Sequence, residues 1–282
     1  VAESTTWRAL FDDAVARLDD RTDARRLVEE ASGFDISQAL DRAPTARTAA
    51  HFDAMLEWRA AGEPLQYVLG SWGFRTLDVF VDGRVLIPRP ETEVVVEHAL
   101  SLIDEVGARV VVDLGTGSGA IALSLAVERP GLAVWATDVS RDALDVARAN
   151  LAGIGRAAAR VRLAEGDWFD ALPSELAGTI DVVVANPPYV GEREELPADV
   201  AGWEPRDALI AGPSGLEAVA AILAAAPAWL APGGGVVLEI GETQHARVLE
   251  LAEAFGRADV RPDLAGRPRA LVARLSTAAG SS

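Results

Sequence analysis

Asn186, Pro187, Pro188 and Tyr189 follow directly on the apolar run Ile180-Asp181-Val182-Val183-Val184-Ala185. Two successive prolines have no N–H to give a sheet ladder, so a strand over that run must stop there. Open α/β sheets hold their ligands at the carboxyl ends of strands, which is where the stop leaves Asn186. An Asn186 side-chain oxygen beside the Pro187 carbonyl makes a two-acceptor clamp for an –NH2 group. Such a clamp suits chemistry on a planar, weakly nucleophilic nitrogen. A simple turn with a packing tyrosine uses the same residue types, so the motif needs support from the rest of the chain.

A second cluster lies upstream. Val110-Val111-Val112-Asp113-Leu114 runs into Gly115-Thr116-Gly117-Ser118-Gly119-Ala120. Glycines there permit a tight turn and close ligand approach, and a helix start offers free N–H groups nearby. With Ala120 as the third small residue the string also fits the dinucleotide fingerprint, so the loop alone leaves NAD and other adenosine cofactors open. The run Ala133-Val134-Trp135-Ala136-Thr137 ends at Asp138, whose carboxylate suits ribose hydroxyls in either class. Asp167 and Trp168, after a weaker apolar run at 159–163, suit an adenine amino edge and face. The candidate cofactor residues are therefore Gly115, Thr116, Gly117, Ser118, Gly119, Asp138, Asp167, Trp168 and Asn186.

Composition removes other chemistries. Cysteine is absent, which excludes disulfides, thiolate nucleophiles and thiolate metal sites. All 26 basic residues are arginine, so there is no phosphate-binding, Schiff-base or general-base lysine. His51, His98 and His245 lie far apart without metal spacing, and no metal is expected. A formal net charge of −17 opposes sequence-independent binding to nucleic acid. No apolar stretch reaches the roughly 18 residues of a membrane span, and no charged-then-apolar leader opens the sequence. A soluble, cytoplasmic monomer is expected.

The elements that position these residues are legible in outline. Trp7, Leu10, Phe11, Ala14 and Leu18 keep helical spacing, as do Ala24, Leu27, Val28 and Ala31 before Gly33. Ser37 is a candidate cap for a short helix through Leu40, and a longer helix carries Phe52, Met55 and Leu56. Phe74–Val81 and Arg84–Ile87 flank Asp82-Gly83 and read as a β-hairpin. Pro88-Arg89-Pro90-Glu91-Thr92-Glu93 then opens a helix through Leu102. From residue 109, strand-like runs at 109–114, 132–137, 159–163, 179–185 and 235–240 alternate with helical stretches, implying a parallel sheet covered on both faces. A helix near 243–254 and a strand near 269–274 complete it, and the tail from Ser276 is expected to fray. The expected division is a helical domain over 1–70, a β-hairpin linker over 71–88 and the α/β domain over 89–282.

The order of glycine loop, strand-end Asp138, Asp167-Trp168 and Asn186-Pro187-Pro188-Tyr189 resembles the class I S-adenosylmethionine-dependent methyltransferases. With Gly73-Phe74, Ile87-Pro88-Arg89-Pro90-Glu91-Thr92-Glu93, Glu204-Pro205 and Leu238-Glu239-Ile240-Gly241, the chain resembles more narrowly the HemK/PrmC family. These are the peptide-chain release factor glutamine methyltransferases. The match spans roughly residues 64–275. It implies a Rossmann-like, mostly parallel sheet with helices on both faces, preceded by a helical bundle that docks the protein substrate. It also implies S-adenosyl-L-methionine as methyl donor and a release factor as partner. Asn186, Pro187 and Tyr189 would be catalytic, with Pro188 and Phe74 as further substrate contacts.

Other readings compete. The same clamp serves a glutamine of a ribosomal protein, or an adenine amino group of RNA or DNA. Base methylation wants a basic track, which the acidic balance and Glu192-Arg193-Glu194-Glu195 oppose. A binding scaffold with a relic cofactor fold leaves the set Asp138, Trp168 and Asn186 without a purpose. A nicotinamide dehydrogenase leaves the Asn-Pro-Pro-Tyr string unexplained.

Overall fold

A computed structural model describes residues 6–276, and the tail expected to fray beyond Ser276 lies outside the described residues. The chain forms two compact units. One holds the chain up to Ser71 together with Pro197–Trp203; the other holds Trp72–Leu196 and the chain from Glu204 onward.

The first unit is helical: α1 (Trp7–Leu18), α2 (Arg21–Ser32), α3 (Ile36–Ala39), α4 (Ala46–Ala60) and α5 (Leu65–Leu69). Thr6 and Asp20 cap the first two helices through their side chains, and Gly33 ends α2 at φ 70°. Trp7, Phe11, Leu27, Phe52 and Met55 fill the core, with the Trp7 and Phe52 rings edge to face at 5.8 Å. The cap of α3 is Asp35 and not Ser37, because the carboxylate accepts the Ser37 N–H at 2.9 Å.

A hairpin follows, built from β1 (Ser71–Phe74) and β2 (Leu77–Phe80). Its turn is Arg75-Thr76, not the Asp82-Gly83 that the sequence suggests. Arg75 holds φ 51° because distant carboxylates anchor it: its N–H reaches Glu93 at 2.9 Å and its guanidinium reaches Glu128 at 2.7 Å. Asp82 instead accepts the Arg84 N–H at 3.1 Å, closing a local turn that runs on to Pro88 without a second strand.

The second unit continues through α6 (Pro90–Val106), β3 (Val110–Leu114), α7 (Ala120–Glu128), β4 (Ala133–Asp138), α8 (Arg141–Gly153), β5 (Val161–Glu165) and β6 (Ile180–Ala185). After β7 (Val190–Gly191) the chain enters the helical unit as α9 (Ala198–Ala201) and returns to β8 (Ile210–Gly212). It ends with α10 (Glu217–Trp229), β9 (Leu230–Glu239), α11 (His245–Leu251), β10 (Arg257–Pro262) and β11 (Pro268–Arg274). The main sheet has the order β10-β11-β9-β6-β3-β4-β5. Its five strands from β9 to β5 are parallel, and β11 and β10 extend it antiparallel. Val112, Val183, Val236 and Leu271 of the sheet share a core with Val219, Ile222 and Leu223 of α10.

Strand order reverses at β3, which has β4 on one side and β6 on the other. Such a switch point opens a crevice beyond the strand ends. The register decides what stands there. Leu114 pairs with Thr137 and with Ala185, and Ala185 pairs with Leu238. Gly115, Asp138, Asn186 and Glu239 are therefore the next residues beyond one continuous rung. Among the described residues no helix is long and apolar enough to cross a membrane.

Candidate active site

The glycine turn after β3 is tightly bonded within itself. Thr116 N–H donates to Thr137 O, Gly119 N–H to Thr116 O, and Gly117 N–H to the Asp138 carboxylate, each at 2.8 Å. The sequence suggests free donors here, but these three are already committed. Asp138 also accepts the Ser140 N–H at 2.9 Å.

Behind it Asp113 is fully buried, accepting Thr116 Oγ1 at 2.6 Å and Ala122 N–H at 3.1 Å. Burial pushes its carboxyl up to about 7 against those two bonds, with Asp138 acting in the same direction as burial. Burial likewise raises Asp138, opposed by bonds from Ser140 and Gly117.

These residues surround a cavity of about 460 Å³, within the roughly 300–1,000 Å³ of small-molecule sites. Gly115, Thr116, Gly117, Ser118, Asp138, Asp167, Trp168, Asn186 and Pro188 all line it. Trp168 is a bulky residue at φ 41°, and its indole packs on Gly115, where an added Cβ would lie 3.3 Å from Cζ3. Together with exposed Val139 it supplies apolar wall for a flat ring. Thr116 and Ser118 are buried residues of that lining. The cavity thus fits an adenosine-bearing ligand.

Four expected residues lie outside that lining. Gly119 starts α7 at φ 86°, against Leu123 and Ala147. Pro187 is buried and Tyr189 half-buried. Burial pushes the Tyr189 phenol up to about 12, so it stays protonated. Phe74 is 1% exposed, a core residue of the hairpin and not a cavity wall. Among the described residues no cluster of metal-ligating side chains occurs.

The structure adds four residues that the sequence reading left unassigned. Asn186 Nδ2 donates to Thr92 Oγ1 at 3.2 Å, and Thr92 Oγ1 donates to Glu239 Oε2 at 2.7 Å. Thr92 sits in the first turn of α6 and Glu239 at the end of β9, both buried. Buried Glu204 accepts the Ile87 N–H at 3.2 Å and pairs with Arg89 at 2.5 Å, joining two cavity-lining segments. Gln244 donates to the Tyr189 carbonyl at 2.9 Å and to Gly215 O at 3.0 Å, fixing the chain after the prolines. For Thr92, Glu204 and Glu239 the signal in the sequence was the strings Pro-Arg-Pro-Glu-Thr-Glu, Glu-Pro and Leu-Glu-Ile-Gly, whose mutual contacts no spacing rule supplies; Gln244 lies in none of them.

Two family models match the chain: the PrmC N-terminal domain over residues 8–70 and the methyltransferase small domain over residues 92–201. A Burkholderia pseudomallei protein named release factor glutamine methyltransferase is 44% identical over 91% of this chain and 92% of its own. A Xylella fastidiosa protein of the same name is 42% identical over 94% and 97%. A third, from Moorella thermoacetica, is 47% identical over 80% of each chain. Among solved structures, the hMettl16 catalytic domain in complex with a 3'UTR hairpin aligns with TM-score 0.55 and 15% identity over 83% of each chain. A T. thermophilus 16S rRNA methyltransferase in complex with AdoMet and guanosine aligns with TM-score 0.51 and 20% identity, over 73% of this chain and 49% of that one. These two likenesses are of fold.

Proposed function

This chain belongs to the release factor glutamine methyltransferase family, and from that premise we propose that it methylates the glutamine of the Gly-Gly-Gln motif in peptide-chain release factors. The acceptor is the side-chain amide nitrogen and the donor is S-adenosyl-L-methionine. The observation that carries the reading is Asn186, half-buried on the cavity rim with its Nδ2 held by Thr92. That bond leaves the Asn186 oxygen for an incoming –NH2.

When bound, the donor would supply an electrophilic methyl on a sulfonium, the C–S electron pair leaving with sulfur; the residues of this chain would orient the amide nitrogen toward that carbon, and its surplus proton would pass to solvent after transfer. Gly115–Ser118, Asp138, Asp167 and Trp168 line the cavity and would hold the donor there. The Asn186 oxygen and the Pro187 carbonyl accept the two amide hydrogens and aim the nitrogen lone pair. Such alignment contributes up to about 7–11 kcal/mol. The acceptors bind more strongly as the nitrogen becomes positive, so they favour the transition state. The neutral Tyr189 packs against the flat amide and excludes water. No lysine or cysteine is present to act as base, and none is needed, because the nitrogen becomes acidic only after transfer. The helical unit is the docking surface for the release factor, and the enzyme acts as a cytoplasmic monomer.

Mass spectrometry of an unmethylated release factor incubated with this protein and donor tests the reading. One methyl on the Gly-Gly-Gln glutamine is expected. None, with donor binding demonstrated, sends the search to ribosomal protein and then to RNA.

A further inference from the structure

Asn186 works as an acceptor only with its amide turned one way. Flipped by a half-turn, it would present –NH2 to the substrate –NH2, and the clamp would fail. The two ends of an asparagine amide are nearly equal in size, so packing discriminates between them weakly. Hydrogen bonds must decide.

The network around Asn186 is directional. The Glu239 side chain is 1% exposed and its Oε2 lies 2.7 Å from Thr92 Oγ1. An ionised carboxylate only accepts, so it commits the single hydroxyl hydrogen of Thr92. Thr92 Oγ1 is left with lone pairs, and the Asn186 atom 3.2 Å away must be a donor, which is Nδ2. The oxygen is thereby sent the other way. The backbone makes the arrangement stiff: Asn186 and Glu239 stand one residue beyond the paired Ala185 and Leu238, and Thr92 is 3% exposed in the first turn of α6.

We propose that Thr92 and Glu239 are positioning residues that fix the Asn186 amide with its oxygen toward the substrate and so set the turnover rate. The proposal rests on the glutamine-methylation reading. It assigns a function to a carboxylate that is otherwise costly to bury.

Protonation reverses the direction. A protonated Glu239 donates to Thr92 Oγ1, which frees the hydroxyl hydrogen to point at Asn186 and favours the flipped amide. Burial pushes Glu239 up to about 7. Thr92 from α6, Arg269 from β11 and Arg89 favour its charged form, while Glu91 opposes it. Tyr189 also faces it and stays neutral. Turnover therefore declines as pH falls through about 7.

The test compares the full-length wild type with Thr92→Ser, Thr92→Val and Glu239→Gln, using a release factor and S-adenosylmethionine. Thr92→Val, which keeps shape and loses the hydroxyl, should lower kcat about 10–100-fold, as loss of an outer hydrogen-bonding partner does elsewhere. Donor affinity should stay within about threefold, because Thr92→Val keeps the side chain's volume and leaves the lining at Gly115–Ser118, Asp138 and Trp168 in place. Thr92→Ser should restore kcat. Glu239→Gln should lower kcat and abolish its decline between pH 8 and pH 6. Unchanged kcat in Thr92→Val, or an equal loss in Thr92→Ser, overturns the relay, and so does a Glu239→Gln profile parallel to wild type. Neutron diffraction of the wild type reads the amide independently of any substrate. Deuterons on the Asn186 atom facing Thr92 are expected, and an oxygen there overturns the relay. Failure of the wild type to methylate a release factor overturns the substrate reading instead.

Discussion

Replacing Asn186 with alanine separates the clamp from everything around it. The substitution removes the Asn186 oxygen proposed to accept a substrate hydrogen, and it removes the 3.2 Å bond from Nδ2 to Thr92. Thr92 keeps its 2.7 Å bond to Glu239, so no buried hydroxyl hydrogen is stranded. The stability cost is then that of one ordinary hydrogen bond at a half-buried site, about 1 kcal/mol. For a chain of this size that shifts Tm by about 2–4 °C. Losing an oriented polar partner of the transition state costs far more in rate, about 2.7–4 kcal/mol or 10²–10³ in kcat. Donor affinity should change little, because the remaining cavity lining at Gly115–Ser118, Asp138 and Trp168 is untouched. The assays are single-turnover methylation of a release factor, calorimetric titration with S-adenosylmethionine, and thermal melting. Near-normal turnover would remove Asn186 from the mechanism. A large fall in Tm or donor affinity in parallel with rate would mean that Asn186 shapes the cavity instead of aligning the amide.

Asp138→Ala should weaken donor binding and leave the clamp intact, and titration showing unchanged affinity would defeat its assignment to the ribose. Because Asp138 also bonds Gly117 and Ser140, Asp138→Asn should lie between the two. The buried Asp113 holds its proton up to about 7, against an ordinary value of 3.8. The native state thus binds more proton than the unfolded chain between these values, and stability falls as pH rises through that window. Asp113→Asn, which cannot ionise, should gain on the wild type from about pH 4 to pH 7, by at most about 1.4 kcal/mol per pH unit. Denaturation curves that stay parallel across that range would contradict the raised carboxyl.

What the sequence made legible follows from local physics. Strands β3, β4 and β6 are buried on both faces, so they read as continuous apolar runs, and Pro187 marks where β6 must stop. Those strand ends carry Gly115, Asp138 and Asn186, so these three candidates, which the structure brings to one cavity, could be named before any register was known. The hairpin turn could not be placed, because its anchors Glu93 and Glu128 lie 18 and 53 residues from Arg75. β10 escaped notice as an edge strand in which Arg257, Asp259 and Arg261 break the apolar pattern. The partners of Asn186 were hidden for the same reason as the hairpin anchors: Thr92 is 94 residues away, and Glu239 is 147 residues beyond Thr92. Nor does a glycine-rich string reveal whether its N–H groups are free or already spoken for.

The return of Pro197–Trp203 to the helical unit changes how that unit can be handled. A substrate-docking module occupying one continuous stretch of sequence could be cut away or exchanged as a cassette. The helical unit, for which docking is proposed, is written in two places, the second being Pro197–Trp203. Removing residues 1–62 would strand Pro197–Trp203 without the helices it clusters with, and a resulting loss of activity would not separate the proposed docking role from misfolding of that returning segment. A chimaera that transplants the amino-terminal helices from a relative needs the matching residues at 197–203 as well. The two stretches are expected to change together as one unit of inheritance, though 125 residues of catalytic chain, Trp72–Leu196, lie between them.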